Sequence, residues 1–118
     1  MRIRGFNEKI KKWVIIEITP DSGAVIGFEN WYDIAMDSIG VSTEKKDMQN
    51  KEVFQGDIIL SGRTDIEMEI KYGFYQAFCP EDGCIMDNVG FYAMGKKSCR
   101  PIGQLDDYAL VIANTYGR

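Results

Sequence analysis

The sequence contains no histidine, only three cysteines and three prolines, and fewer basic than acidic groups, 14 against 18 in 118 residues. Without imidazole there is no Ser-His-Asp or Cys-His pair, no histidine metal ligand and no imidazole pH switch. Cys79, Cys84 and Cys99 form an odd set with no glycosylation sequon beside them, which suits a reducing compartment. Long hydrophobic runs are also missing. The longest, Tyr108–Ala113, falls far short of the ~20 residues of a membrane-spanning helix. The opening MRIRGFNEKIKKW places charges where the apolar segment of a secretory signal would stand, so a cytoplasmic location is expected. The length excludes a doubly wound nucleotide-binding sheet and a (β/α)₈ barrel, and fits one domain that buries about two-thirds of its unfolded surface.

What is present is ordinary in amount and uneven in placement. Hydrophobic residues make up 45% and charged residues 27%, as in a folded globular domain. The net charge of −4 repels nucleic acid and anionic membrane as a whole. Residues 1–13, however, carry Arg2, Arg4, Lys9, Lys11 and Lys12 against Glu8, a net of +4 that leaves −8 for the rest. This strip is a candidate docking surface for an acidic partner or a second copy, set against the plainer reading of a solvated hairpin.

Patterning points to strands. Residues 1–6 and 13–18 read as a hairpin around the polar turn Asn7–Lys12, and Pro20–Gly23 as a turn into a short strand over Ala24–Phe28. Trp31–Ile39 is compatible with a helical turn or an irregular strand, and Gly40–Lys51 reads as a long polar connection. Thr64–Tyr72 alternates without exception: Ile66, Met68, Ile70 and Tyr72 share one face, with Asp65, Glu67, Glu69 and Lys71 on the other. One apolar and one wet face indicate an antiparallel sheet. Gly73 is expected to turn the chain into a strand over Phe74–Cys79, and Pro80–Gly83 to turn it again. Val89–Met94 and Tyr108–Asn114 complete the strands, with one helical turn near Gly103–Asp107. Short strands between glycine and proline turns predict a mainly β domain, most simply a barrel.

No motif carries convincing chemistry. Gly90–Ser98 comes within one residue of a phosphate-binding loop, but Lys97 stands at the Ser/Thr position and Phe91, Tyr92 and Met94 fill the loop. Cys79 and Cys84 flank a turn with Cys99 downstream, one ligand short of a structural zinc site unless a carboxylate such as Asp82 joins them. Glu81-Asp82 and Asp106-Asp107 are acid pairs of the kind that usually face water. The aromatics Phe28, Trp31, Tyr32, Phe74, Tyr75, Phe78, Phe91 and Tyr92 are divided between core and a possible exposed binding face, with the core favoured in so small a domain. No catalytic, cofactor-binding or metal-binding residue is therefore assigned.

Three stretches resemble a known family. Asn50–Leu60 (NKEVFQGDIIL), Arg2–Glu8 with Lys11–Val14, and Leu110–Tyr116 (LVIANTY) are similar, in order, to the core, opening and closing strand of the YopX-like phage and prophage proteins. The stretch VSTEKKDMQNK departs from that family's usual connection. The resemblance implies an SH3-like β-barrel with an added N-terminal β-hairpin region: one domain over 1–118, with hairpin region 1–40 and barrel 52–118. It marks Gly56, Asp57, Ile58, Asn114 and Tyr116 as structural signature residues. It further implies a phage-type protein in a bacterial cell carrying a phage or prophage, without an established reaction and capable of self-association. The function expected is a non-enzymatic module that binds a host or phage protein or its own copies, as a homo-oligomer without cofactors and away from membranes. The alternative is a small-barrel nucleic-acid-binding protein that uses the basic hairpin.

Overall fold

A computed structural model describes residues 1–19, 21, 23–26, 31–62, 65–79, 81–96 and 99–116. Among them the chain forms strands β1 Arg2–Asn7, β2 Lys12–Ile18, β3 Val25–Ile26, β4 Gly40–Lys46, β5 Glu52–Phe54 and β6 Asp57–Ser61. These are followed by β7 Glu67–Cys79, β8 Cys84–Met94, β9 Cys99–Pro101 and β10 Ala109–Asn114. Single 3-10 turns stand at Met36–Ser38 and Leu105–Asp107, and the described residues contain no α-helix.

The strands make two five-stranded antiparallel sheets, in the orders β3-β2-β1-β4-β5 and β10-β6-β7-β8-β9. The fold is therefore mainly β, as the alternation indicates. No closed barrel forms among the described residues, because the edges of the second sheet, β9 and β10, are not paired with each other. The change of sheet falls between Phe54 and Asp57, across Gln55 and Gly56. Gly56 makes that corner with φ +93°, a conformation open to glycine at little cost, and its N–H donates to Ile70 O at 2.8 Å.

The core lies against the second sheet. Ile59, Met68, Ile70, Ala93 and Ala109 meet Val53 from the first sheet and Ile102 and Leu105 from the connection before β10. Every one of these is nearly or wholly withdrawn from water, and such burial stabilises by ~25 cal/mol per Å² of apolar surface.

Several expectations need correction. Gly40–Lys51 is not a polar connection: its first seven residues are β4. Its pattern conceals a strand because Ser42 and Thr43 are buried through their hydroxyls, Ser42 Oγ donating to Glu52 Oε2 and Thr43 Oγ1 to Val53 O at 2.7 Å. A register shift between Ser42 and Lys46, with Glu44 at φ +60°, breaks the alternation further. Gly73 does not turn the chain. It lies inside β7, paired directly with Gly90 of β8, and the strand runs on to Cys79. Of the four apolar residues expected on one buried face, Met68 and Ile70 are buried while Ile66 and Tyr72 are exposed. Within Trp31–Ile39 the chain makes an isolated bridge, Ile34 to Asn7, and then the turn Met36–Ser38. Pro20 and Ser22 of the expected turn, Gly27 and Phe28, Thr64, Pro80, and Lys97 and Ser98 lie outside the described residues.

Candidate functional site

Two features stand apart from the rest of the fold: a polar clasp joining the sheets and an arm extending from the second one. The clasp is Arg4 of β1 against Asp57 of β6. Arg4 Nη2 donates to Asp57 Oδ1 at 2.5 Å, while Phe54 N donates to Oδ2 at 2.8 Å. Asp57 is 1% exposed and the Arg4 side chain 12%. The guanidinium lies between the rings of Trp13 and Phe54, 4.8 Å from each centroid, a double cation–π contact. Burial raises the Asp57 carboxyl above its ordinary 3.8, opposed by the Arg4 charge and by the Phe54 hydrogen bond. Desolvating the carboxylate thus costs more than its partners return, as is common for buried ion pairs. Beside the pair is a cavity of about 360 Å³, bordered by Trp13, Ile15, Lys51, Ile112 and Asn114 among others. Its buried acid is already engaged on both oxygens, which leaves it unsuited to act as a general base.

The other signature residues surround this clasp. Ile58 is buried on β6, and Asn114 of β10 faces Asp57 in the ladder. Tyr116 sets its ring edge against Phe6 and Trp13, with centroids 5.5 and 6.0 Å away, and its hydroxyl donates to Glu8 Oε1 at 3.2 Å. The segment after β10 is therefore tied to the first hairpin. Sequence reasoning missed Asp47, which is buried and orders the connection between β4 and β5. Its Oδ1 accepts from Gln49 N and Lys51 N, and its Oδ2 from Val111 N, each at 2.9 Å. An Asp-x-x-Asn turn signature was its only local signal.

The basic strip divides in two. Arg2 donates through Nε to both oxygens of Glu52 at 3.0 and 3.1 Å and lies 3.7 Å from Glu17, while Arg4 belongs to the clasp. Lys9, Lys11 and Lys12 sit exposed at the β1–β2 turn, whose backbone is held by Asn7: Oδ1 accepts from Lys9 N at 3.0 Å and Ile10 N at 3.2 Å.

The arm is the outer part of the β7–β8 hairpin. β6 pairs with β7 only as far as Glu69 and β9 with β8 only as far as Tyr92, yet the hairpin ladder continues to Cys79 opposite Cys84. Residues 74–79 and 84–89 thus form a two-stranded ribbon about 20 Å long at ~3.4 Å per residue. The radius of gyration, 15.5 Å, exceeds the ~13.5 Å of a compact chain of this length. At the root the Gly73–Gly90 pair has φ of +147° and +150°, and on that face Tyr75 and Tyr92 stack across the glycine row at 4.7 Å. On the opposite face, alternation carries the core positions Met68 and Ile70 on to Tyr72, Phe74, Gln76 and Phe78, paired with Phe91, Val89, Asp87 and Ile85. Here the exposures are 56% for Tyr72, 63% for Phe74, 64% for Phe78, 68% for Ile85 and 75% for Val89. Roughly 600 Å² of apolar surface is left in water, at the upper end for the largest patch on a monomer. The exposed aromatic face, the less favoured reading of the sequence, is thus present in Phe74 and Phe78.

Elsewhere the sequence candidates remain apart. Gly90–Met94 lies within β8 instead of forming a loop around a phosphate, and Glu81, Asp82, Asp106 and Asp107 are all exposed. Cys84 and Cys99 are free thiols. Among the described residues no three His, Cys, Asp or Glu side chains gather where a metal could bind, and no helix is long and apolar enough to cross a membrane. The fold and these features define an antiparallel two-sheet β domain with a projecting apolar arm. No protein-family model, curated protein or solved structure matches this chain.

Proposed function

We propose that this protein is a non-enzymatic interaction module that binds another protein, its own copies included, through the apolar face of the arm. The observation that carries this reading is the unbroken continuation of the core face of β7 and β8 into solvent. Mixed into the proposal is the YopX-like resemblance, with its phage or prophage setting in the bacterial cytoplasm. The SH3-like barrel draws support from the second sheet, where β6 to β9 meander and β10 returns beside β6, an order compatible with a barrel opened between β9 and β10. Nucleic-acid binding through Arg2, Arg4, Lys9, Lys11 and Lys12 has less support, since both arginines are engaged within the chain.

The test is quantitative capture from bacterial lysate by the wild-type protein and by a Phe74→Ser, Val89→Ser variant, both checked for folding by circular dichroism. Proteins retained by the wild type and lost from the variant are expected. Equal capture by the two would remove the arm from the function. Captured nucleic acid that disappears on replacing Lys9, Lys11 and Lys12 would favour the alternative.

A further inference from the structure

The arm and its root fit one another. Where the arm leaves the body, Tyr72 and Phe91 make a T-shaped pair, with centroids 4.9 Å apart. Together with Met1, Val41, Thr43 and Glu44 they line a cleft of about 470 Å³. The walls are largely apolar and the cleft opens on the face that presents Phe74, Val89, Phe78 and Ile85. The tip of an arm offers the matching shape, Phe78 beside Ile85 in the ladder, followed by the exposed acidic turn Glu81-Asp82. The strand that walls the cleft carries Lys45 and Lys46 next to Glu44, so its charge balance is the reverse of the tip's.

Resting on the reading that the arm's apolar face is the functional surface, we infer that its occupant is a second copy of this chain. Two arms pack antiparallel about a two-fold axis, each placing Phe78 in the cleft formed by Tyr72 and Phe91 of the other. Three observations favour a copy over an unrelated partner. The face holds no lysine or arginine and a single acid, Asp87, so two copies can meet without strong like-charge repulsion. With the axis at the Tyr75–Asn88 row, Phe78 and Ile85 of one arm lie over Tyr72 and Phe91 of the other, and Phe74 and Val89 over Gln76 and Asp87. Gln76 Nε2 donates to Asp87 Oδ1 of its own chain at 2.9 Å, so the polar pair of this face enters the contact with that hydrogen bond already made. Finally, roughly 600 Å² from each copy gives about 1,200 Å² of buried surface, enough for a specific but modest dimer. The arrangement is isologous, so one patch serves both sides and the assembly closes at two. It also covers a ribbon that has no third strand among the described residues and would be marginal alone.

The test is sedimentation equilibrium of the full chain from 1 to 200 µM, with Phe78→Lys and Tyr72→Glu variants alone and mixed. The expected result is a reversible wild-type dimer whose dissociation constant rises at least tenfold in either variant. Mixing the two should restore a heterodimer, because one end then pairs a lysine with a glutamate while the other end is wild type. Both positions are exposed, so circular dichroism should show folded monomers. A wild-type chain that is monomeric at 200 µM overturns the inference. So does a dimer that survives both substitutions, or a mixture that stays monomeric. Loss of self-association together with arm-dependent capture from lysate would discard the second copy and leave the interaction reading standing. Loss of both would end that reading as well.

Discussion

The inner and outer halves of the β7–β8 hairpin share two strands, one register and one alternation, yet they live in different solvents. In the inner half, Met68, Ile70 and Ala93 are buried beneath Val53, Leu105 and Ile102, with β6 and β9 completing the sheet. In the outer half, the same face presents Phe74, Phe78, Ile85 and Val89 to water, and neither strand edge pairs with another strand among the described residues. Alternation therefore dictates which side chains share a face. Whether that face becomes core depends on what other segments of the chain reach it. Here Gly73 and Gly90 stand at the border, where the neighbouring strands stop.

The largest effect that would break this comparison lies in the body. Asp57→Ala strips Arg4 of its counter-charge in a buried site and is expected to cost about 3–5 kcal/mol, read from urea unfolding. The pH dependence has a definite sign. Because the folded-state pKa of Asp57 is raised above 3.8, the folded chain holds this proton more tightly than the unfolded chain in the window between the two values. The stability that Asp57 contributes thus falls as pH rises through that window and is regained as pH drops. The deficit of the alanine variant should widen on acidification; a deficit that narrows would show that Arg4 outweighs burial.

Next in size is a pair of substitutions on the same face of the same strand. Ile70→Ala should cost about 2–5 kcal/mol through lost burial and a residual cavity. Phe74→Ser, four residues on, should stay within about 0.5 kcal/mol in dilute monomer, as exposed positions do. Equal losses in thermal or urea unfolding would mean that the arm is covered within the monomer, and the distinction between the halves would fall. At the border the expected change is smaller than in the core. Nothing lies within 4 Å of a Cβ added at Gly73, so Gly73→Ala meets no clash and suffers only from its φ of +147°. A cost of roughly 1–3 kcal/mol follows. Hydrogen exchange should find it in the amides of residues 74–79 and 84–89, with little change in the core. Loss of protection spread evenly over β6 and β10 would instead make arm and body one cooperative unit.

Much of the strand pattern could be read in advance because it is local. The turn before Lys12, the alternation around Met68 and Ile70, the turn at Glu81–Gly83 and the helical turn ending at Asp107 are each encoded within a few residues. The misses have a common cause, which is distance along the chain. β4 is polar, and its hydroxyls find acceptors on Glu52 and Val53 that only folding supplies. Arg4 reads as part of a basic strip because Asp57 stands 53 residues away. Asp47 reads as a loop acid because Val111, whose N–H it accepts, is 64 residues away. Gly73 reads as a turn because its partner, Gly90, is brought opposite only by the hairpin between them.

By itself the sequence determined a mainly β chain without imidazole chemistry, with a basic excess over its first thirteen residues and strands whose faces follow from a period of two. These depend on residue identity and on near neighbours, which backbone sterics and hydrophobicity translate directly. Tertiary structure alone decided that two of the five basic residues among the first thirteen are engaged within the molecule and that one apolar face is shared between a core and a solvent-exposed arm. Burial is a property of what packs against a residue, and for Arg4 and Phe74 alike the deciding partners lie beyond any local window.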